Sequence, residues 1–413
     1  MNKDLLIVHF DGLIGPTHHY AGLSSGNLAS MTHQKQISHP KAAALQGLEK
    51  MRLMQNLGVK QAFLPPPLRP RLDIVRKLGF YGVESQLIEQ VAKADPQLLS
   101  QVYSASSMWA ANSATASPSN HCQDGRVHIT SANLITMFHR HLEAQESDAI
   151  LKKIFHDERF FSVHAPLPSH LQFADEGSAN HLNLEELELF VFGSPHAIYP
   201  ARQTQAASKA IDRLHQVKKA FFIEQNPEAI NAGVFHNDVI AFCDDALIVM
   251  HEKAYMNQQE VIKQIQTASK AQIVVVLEKE IDIKTAVSTY FFNSHSIHLN
   301  GKRILVAPKE CENNKMVYDY LKTLPYDALH FVNLEQSMKN GGGPGCLTLS
   351  IPMTQDEWEA VHEGVKLTKE RYHLLKNHIH THYRETLSIE ELQDPLLIEE
   401  ARRAHEALAL IWE

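Results

Sequence analysis

Apolar and polar positions along this chain change their period often and over short distances, the pattern of many short strands interleaved with amphipathic helices. An apolar run from Asp4 to Phe10 predicts a first strand ended by Asp11-Gly12, and a segment rich in Gly, Ser, Thr and His then reads as a loop as far as Ser30. Ser38 ahead of Pro40 marks a helix start, Ala42 to Met54 keeps helical spacing, and Gly58 stands where a C-cap belongs. Pro65-Pro66-Pro67 then forbids regular structure. From residue 120 onward strands alternate with helices, which predicts an α/β chain. Ser296 to Val306 carries Asn300-Gly301 between apolar runs, a strong hairpin signal, and Asp238 to His251 carries Asp244-Asp245 between two apolar runs, a weaker one. Further strands are expected over Leu187 to Phe192, Ile273 to Glu278, Leu329 to Leu334 and Cys346 to Ile351. Helices are expected over Gln203 to Val217, Asn257 to Ser269, Asn313 to Leu321, Gln355 to Arg384 and Leu397 to Trp412. The coarse repeat is two or three strands per helix, with no internal identity at a fixed period.

The chain has 413 residues, 44% of them hydrophobic, enough to bury a sizeable core without crosslinks or metals. Length leaves one or two domains open, because propellers and barrels of this size fold as one unit. A net charge of -8 with both signs interspersed supplies no basic stripe to displace counterions, so nucleic acid is not an expected partner. The apolar residues before Asp11 are too few for a signal core or a membrane span, so a cytoplasmic location and no membrane partner are expected. Cys122, Cys243, Cys311 and Cys346 form no CxxC pair, which argues against a zinc cage and a disulfide framework. A cysteine that matters here acts as a thiol.

Candidate chemistry gathers in a few stretches. Asn340-Gly341-Gly342-Gly343-Pro344-Gly345 lets backbone approach a ligand closely and presents Cys346 at its end; the bland reading is a turn with a buried cysteine beside it. Phe235-His236-Asn237-Asp238 sits at a strand entrance and offers an imidazole as the general base a cysteine needs. Asp175-Glu176, ahead of Gly177-Ser178-Ala179-Asn180-His181, suits a guanidinium ion or the orientation of a histidine; taken alone, an exposed acidic loop is the plainer reading. Ala21-Gly22-Leu23-Ser24-Ser25-Gly26-Asn27-Leu28-Ala29-Ser30 leaves amides and hydroxyls free for an anionic group, and Asn112, His139-Arg140 and Arg202 add donors. The histidine runs His18-His19, His139 with His141, and His378, His380 and His382 lack HExxH spacing. They read as mostly solvated polar positions, with no metal and no cofactor expected.

These stretches together resemble the N-succinylarginine dihydrolase family, within the guanidino-modifying superfamily, almost from end to end. The likeness is carried by Phe10-Asp11-Gly12-Leu13, Thr17-His18-His19-Tyr20-Ala21-Gly22-Leu23-Ser24, Met108-Trp109-Ala110-Ala111-Asn112, Phe138-His139-Arg140, Tyr199-Pro200-Ala201-Arg202-Gln203-Thr204, Gly233-Val234-Phe235-His236-Asn237-Asp238 and the glycine loop into Cys346. The resemblance implies Cys346 as nucleophile with Glu176 and His236 completing the catalytic set. It implies residues 21 to 30, Asn112, His139, Arg140, Arg202, Asp238 and Asn340 as substrate-binding positions. It further implies a single domain over residues 1–413, a five-bladed α/β propeller (pentein) of ββαβ repeats around a central active site, and a homodimer. Departures are a short stretch between Phe192 and Tyr199, Ser25 and Gly345 in place of larger residues, and no tail past Glu413.

The implied reaction takes N-succinylarginine to N-succinylornithine, two ammonia and carbon dioxide, through thiolate attack on the guanidinium carbon. Glu176 either orients His236 or pairs with the guanidinium, and Asp238 is the preferred partner for the substrate's N–H edge. An arginine deiminase or amidinotransferase on the same scaffold is the near alternative, and a histidine-rich metal-dependent binding protein the distant one.

Overall fold

The computed structural model describes residues 5–194, 197–199 and 202–413. Asp4, the expected start of the first strand, lies outside the described residues, as do Pro200 and Ala201 and part of the stretch expected to be short. The strands make five separate three-stranded sheets, and each sheet is built in the same way.

In the first, Ala114–Ser117 pairs antiparallel with Val127–Ser131, the chain rises through helix Ala144–Ile154, and Phe161–His164 joins parallel on the far side. The second uses His181–Leu184, Leu187–Phe192, helix Gln205–His215 and Ala220–Glu224. The third uses Ala241–Cys243, Leu247–His251, helix Gln258–Ala268 and Gln272–Val276. The fourth uses His295–Leu299, Lys302–Pro308, helix Lys315–Leu321 and Ala328–Val332. The fifth is shared between the chain ends: Thr348–Ser350 pairs with Val8–Gly12, and helix Pro40–Asn56 leads to Lys60–Leu64. The ββαβ repeat is therefore real, although only the crossover geometry repeats and not the sequence.

Local chemistry sets these elements. Asn300 and Gly301 both take positive φ, 54° and 73°, the geometry that lets a two-residue turn follow the twist of its strands. Pro40 occupies the first helical turn, where its missing N–H costs nothing. The fifth sheet is pinned to its helix by Lys50, fully buried, whose Nζ donates to Asp11 Oδ1 and Oδ2 at 3.0 Å and also to Thr348 Oγ1.

Several boundaries differ from the sequence reading. The long helix expected from Gln355 to Arg384 is two helices, Gln355–Ala360 and Lys369–His382, because Thr354 and Thr368 each cap a new start with a side-chain oxygen. The loop expected to reach Ser30 turns helical at Leu28–Thr32, capped by Asn27. Asp238 and Val239 belong to a 3-10 turn, so the third sheet's hairpin begins only at Ala241. Lys60–Leu64 and the strands between Ala114 and Ser131 were not expected, since they run fully or nearly fully buried without alternation. A satellite helical layer over residues 72–102 and 387–398 packs its own apolar cluster beside the ring.

Candidate active site

A short turn precedes the first strand of every sheet: Ala110–Asn112, Gly177–Asn180, Asn237–Val239, Phe291–Asn293 and the bend ending at Cys346. Hydrogen bonds lace these turns into a closed ring. The Ala111 N–H donates to Cys346 O (3.2 Å), Asn112 Nδ2 to Glu176 O (2.6 Å) and the Asn237 N–H to Asn180 Oδ1 (3.0 Å). Asn293 Nδ2 donates to Asp238 O (3.1 Å), and the Cys346 N–H returns to Asn293 Oδ1 (3.0 Å). Glu176 stands five residues before His181, and His236 five before Ala241, so neighbouring repeats present an acid and an imidazole from equivalent places.

Two pairs of groups result. His236 Nε2 lies 3.1 Å from Glu176 Oε2, which also accepts from Arg140 Nη1, while Thr136 Oγ1 donates to Glu176 Oε1 at 2.8 Å. Cys346 Sγ donates to Asp238 Oδ2 at 3.3 Å. Asp238 Oδ1 and Arg140 Nε and Nη2 are buried without a partner, a costly state that a charged ligand would relieve. Arg202 Nη2 donates to Ser25 O at 2.6 Å and its guanidinium lies 5.0 Å from the Phe235 ring centre. Asn27 Nδ2 donates to Gly341 O at 2.6 Å, tying the 21–30 segment to the glycine loop. A cleft lined by Ser25, Gly26, Asn180, Tyr199, Arg202 and Phe235 adjoins these groups.

Electrostatics follow from burial. Burial alone would raise the Glu176 carboxyl, but Arg140 and His236 hold it well below the usual carboxylate range. Burial lowers His236 to about 4 against the pull of Glu176, so the resting imidazole is neutral. Burial raises Asp238 to about 6, and burial with the Asp238 charge pushes the Cys346 thiol well above its ordinary value. Arg202 is lowered to about 10, by burial first and by Arg140, while His139 is held neutral at about 3 by burial and both arginines.

The glycine loop is explained by contact. A Cβ on Gly342 would collide with the Trp109 ring, and Gly341, at φ 103°, has no room for one against the Asn27 amide. The cysteine is therefore seated by backbone packing that any side chain would block.

Of the residues singled out from sequence, Glu176, His236, Arg140, Arg202, Asp238, Cys346 and Asn112 converge at the ring, with His139 beside them. Asn340 ends helix Glu335–Lys339 at the start of the glycine loop. Leu28 and Ser25 have exposed side chains, and Ser25 enters the site through its carbonyl. The plainer reading of Asp175-Glu176 as an exposed loop is wrong, since both are fully buried. The expectation of solvated histidines also fails: His18, His19, His139 and His378 are buried, because a neutral imidazole packs as an apolar ring. Asn293 was missed; it stands two residues before its strand, as Asn112 and Cys346 do before theirs, a spacing visible only once the strands are known.

Five ββαβ units in a ring, with polar turns from all five meeting on the axis, make this chain a pentein, the fold of guanidino-modifying enzymes. Among solved structures it is similar to the N-terminal domain of ArgZ, an arginine dihydrolase from the ornithine-ammonia cycle in cyanobacteria, with a TM-score of 0.53 and 13% identity over 83% of this chain and 97% of that one. Apo full-length ArgZ gives a TM-score of 0.54 at 13% identity, over 85% of this chain and 42% of that one. At such identity the likeness carries the fold.

Sequence carries the rest. The chain matches the family described as succinylarginine dihydrolase over residues 5–413, and it belongs to that family. It is 45% identical to the N-succinylarginine dihydrolases of Yersinia pestis (strain Pestoides F) and Yersinia pseudotuberculosis (serotype O:3, strain YPIII), over 98% of this chain and 96% of each relative.

Proposed function

We propose that this protein hydrolyses N-succinylarginine to N-succinylornithine, two ammonia and carbon dioxide, with Cys346 as nucleophile. The observation that carries the reading is the unpartnered Asp238 Oδ1 beside a sulfur bonded to the same carboxylate. A guanidinium docked edge-on against Asp238 brings its carbon to the thiol. Glu176 already has Thr136, Arg140 and His236 on its oxygens, so it orients His236 and leaves the substrate's cation to Asp238. Arg202, Asn112, His139 and the 21–30 segment with Asn340 form the rest of the pocket, and Arg202 supplies charge for the succinyl or α-carboxylate.

The steps balance as follows. The docked cation favours thiolate, and the thiol proton passes to His236. Sulfur bonds to the guanidinium carbon, His236 returns the proton to one NH2 group, and ammonia leaves a thiouronium on Cys346. His236 then deprotonates water, oxygen bonds to the carbon, the C–S bond breaks and a ureido group remains. A second round with one more water releases ammonia and carbon dioxide. Excess protons leave on ammonia as ammonium.

The test is incubation with N-succinylarginine, counting ammonia and identifying the amino-acid product. Two ammonia and N-succinylornithine support the reading; one ammonia and a ureido product indicate a deiminase, and no ammonia refutes it. The same reading includes one folding unit over residues 1–413, a homodimer and a cytoplasmic location; light scattering in solution checks the dimer. Among the described residues, no helix is long and apolar enough to cross a membrane.

A further inference from the structure

Behind the ring of turns lies a second, much larger space. A cavity of about 1680 Å³ runs between the first strands of the sheets, touching Ser178 and His181, Asp238 and Ala241, Asn293 and His295, and Gly345 and Thr348. Its outer end opens among Lys218, Lys219, Lys270 and Asn300. Its inner end meets the candidate active site at Asp238, which belongs to its wall and accepts from Cys346 Sγ at 3.3 Å, whereas Arg202 lines the separate cleft. The wall is mixed: Leu6, Phe242 and Leu299 lie on it beside His9, His121, His181 and His295. A space of this size with imidazoles and carboxylates on its wall holds several tens of waters at about 30 Å³ each.

The substrate side is narrow. Arg202 bonds to Ser25 O and Asn27 to Gly341 O across it, and Cys346 is 4% exposed. Yet the proposed reaction, on which this inference rests, consumes two waters and releases two ammonia and one carbon dioxide while the succinylated stem stays in place. If those small molecules crossed the substrate cleft, the stem would have to leave between rounds and the ureido stage would escape.

We propose that the axial cavity is the passage for water inward and ammonia outward, separate from the cleft that admits substrate. Retention of the ureido stage follows, because exchange of small molecules does not require the stem to move.

The test narrows the passage without touching the reacting groups. Ser178→Phe fills the inner end, and Asn183→Phe fills a place on the strand that follows the Ser178 turn. For each folded variant kcat is expected to fall at least about tenfold with KM for N-succinylarginine within about twofold, and the ureido compound is expected in the medium. A second measurement needs no variant. In the wild-type protein saturated with N-succinylornithine, hydrogen peroxide is expected to oxidise Cys346 at a rate within about threefold of that in the free protein at the same alkaline pH, while a bulky maleimide is excluded. Full protection from peroxide overturns the proposal, as do folded variants with unchanged kcat and unchanged ammonia per product. Wild-type protein that releases no ammonia from N-succinylarginine refutes the function reading instead, and the peroxide measurement remains informative about the passage.

Discussion

Replacing Asp238 by Asn separates two effects that point in opposite directions. At rest the Asp238 carboxylate accepts from the thiol at 3.3 Å and, with burial, keeps the sulfur protonated. At an effective dielectric of about 20, two unit charges at that distance repel by about 5 kcal/mol, an upper bound on what ionising the sulfur must overcome. Asp238→Asn removes the charge and keeps the shape, so the resting thiol pKa is expected to drop by roughly one to three units. Alkylation by iodoacetamide without substrate at pH 7 then quickens by about tenfold per unit. Turnover moves the other way. The guanidinium loses its buried anionic partner, a loss of about 3 to 5 kcal/mol, or two to three and a half orders of magnitude in kcat/KM. The assay is a pH profile of alkylation beside steady-state kinetics on the same preparation. Slower or unchanged alkylation with kcat/KM reduced less than about tenfold would refute the placement of Asp238 between sulfur and substrate.

Other substitutions test neighbouring parts. Cys346→Ser is expected to abolish turnover while the protein stays folded and binds substrate in calorimetry; retained activity removes the nucleophile assignment. Arg202→Ala is expected to raise KM for N-succinylarginine about ten- to hundredfold, the loss of a charged hydrogen bond, with little effect on any residual use of free arginine. An equal effect on both substrates contradicts its carboxylate role. Stability should fall as pH drops from 6.5 toward 4. Burial depresses His9, His18 and His139 to about 3 and His236 and His378 to about 4, so the unfolded chain takes up these protons first. Asp175 and Glu143, raised to about 7, and Asp238, raised to about 6, oppose this because they favour the folded state on acidification, but they are fewer. Thermal midpoints across that range check the sign, and a midpoint that rises toward pH 4 contradicts it.

Much of the ring is legible in the sequence alone. The Asn300-Gly301 hairpin, the Pro40 helix start and the glycine loop ahead of Cys346 each follow from backbone constraints that a sequence states directly. Strands 114–117 and 127–131 hid because both faces are buried, which erases the alternation that marks a strand. Residues 355–384 read as one helix because the caps at Thr354 and Thr368 are single hydroxyls within an amphipathic run. The site divided in the same way. Cys346, His236 and Glu176 could be named from motif context, whereas Asn293, Thr136 and the division of labour between Glu176 and Asp238 depend on contacts between repeats 40 or more residues apart. Burial of the histidines was misjudged because spacing along the chain does not say which neutral imidazoles pack into the interior, as His378 does with neither ring nitrogen partnered.

The central claim is that a sulfur on the axis of the ring carries the carbon of the guanidinium group during turnover. Acid quenching of the protein mixed with N-succinylarginine, followed by mass spectrometry of its peptides, tests this directly. The account expects an adduct of the substrate's amidino carbon on the peptide that contains Cys346, appearing and decaying within a turnover. Full turnover with that peptide unmodified at every quench time, or an adduct on Cys122, Cys243 or Cys311 instead, would contradict it.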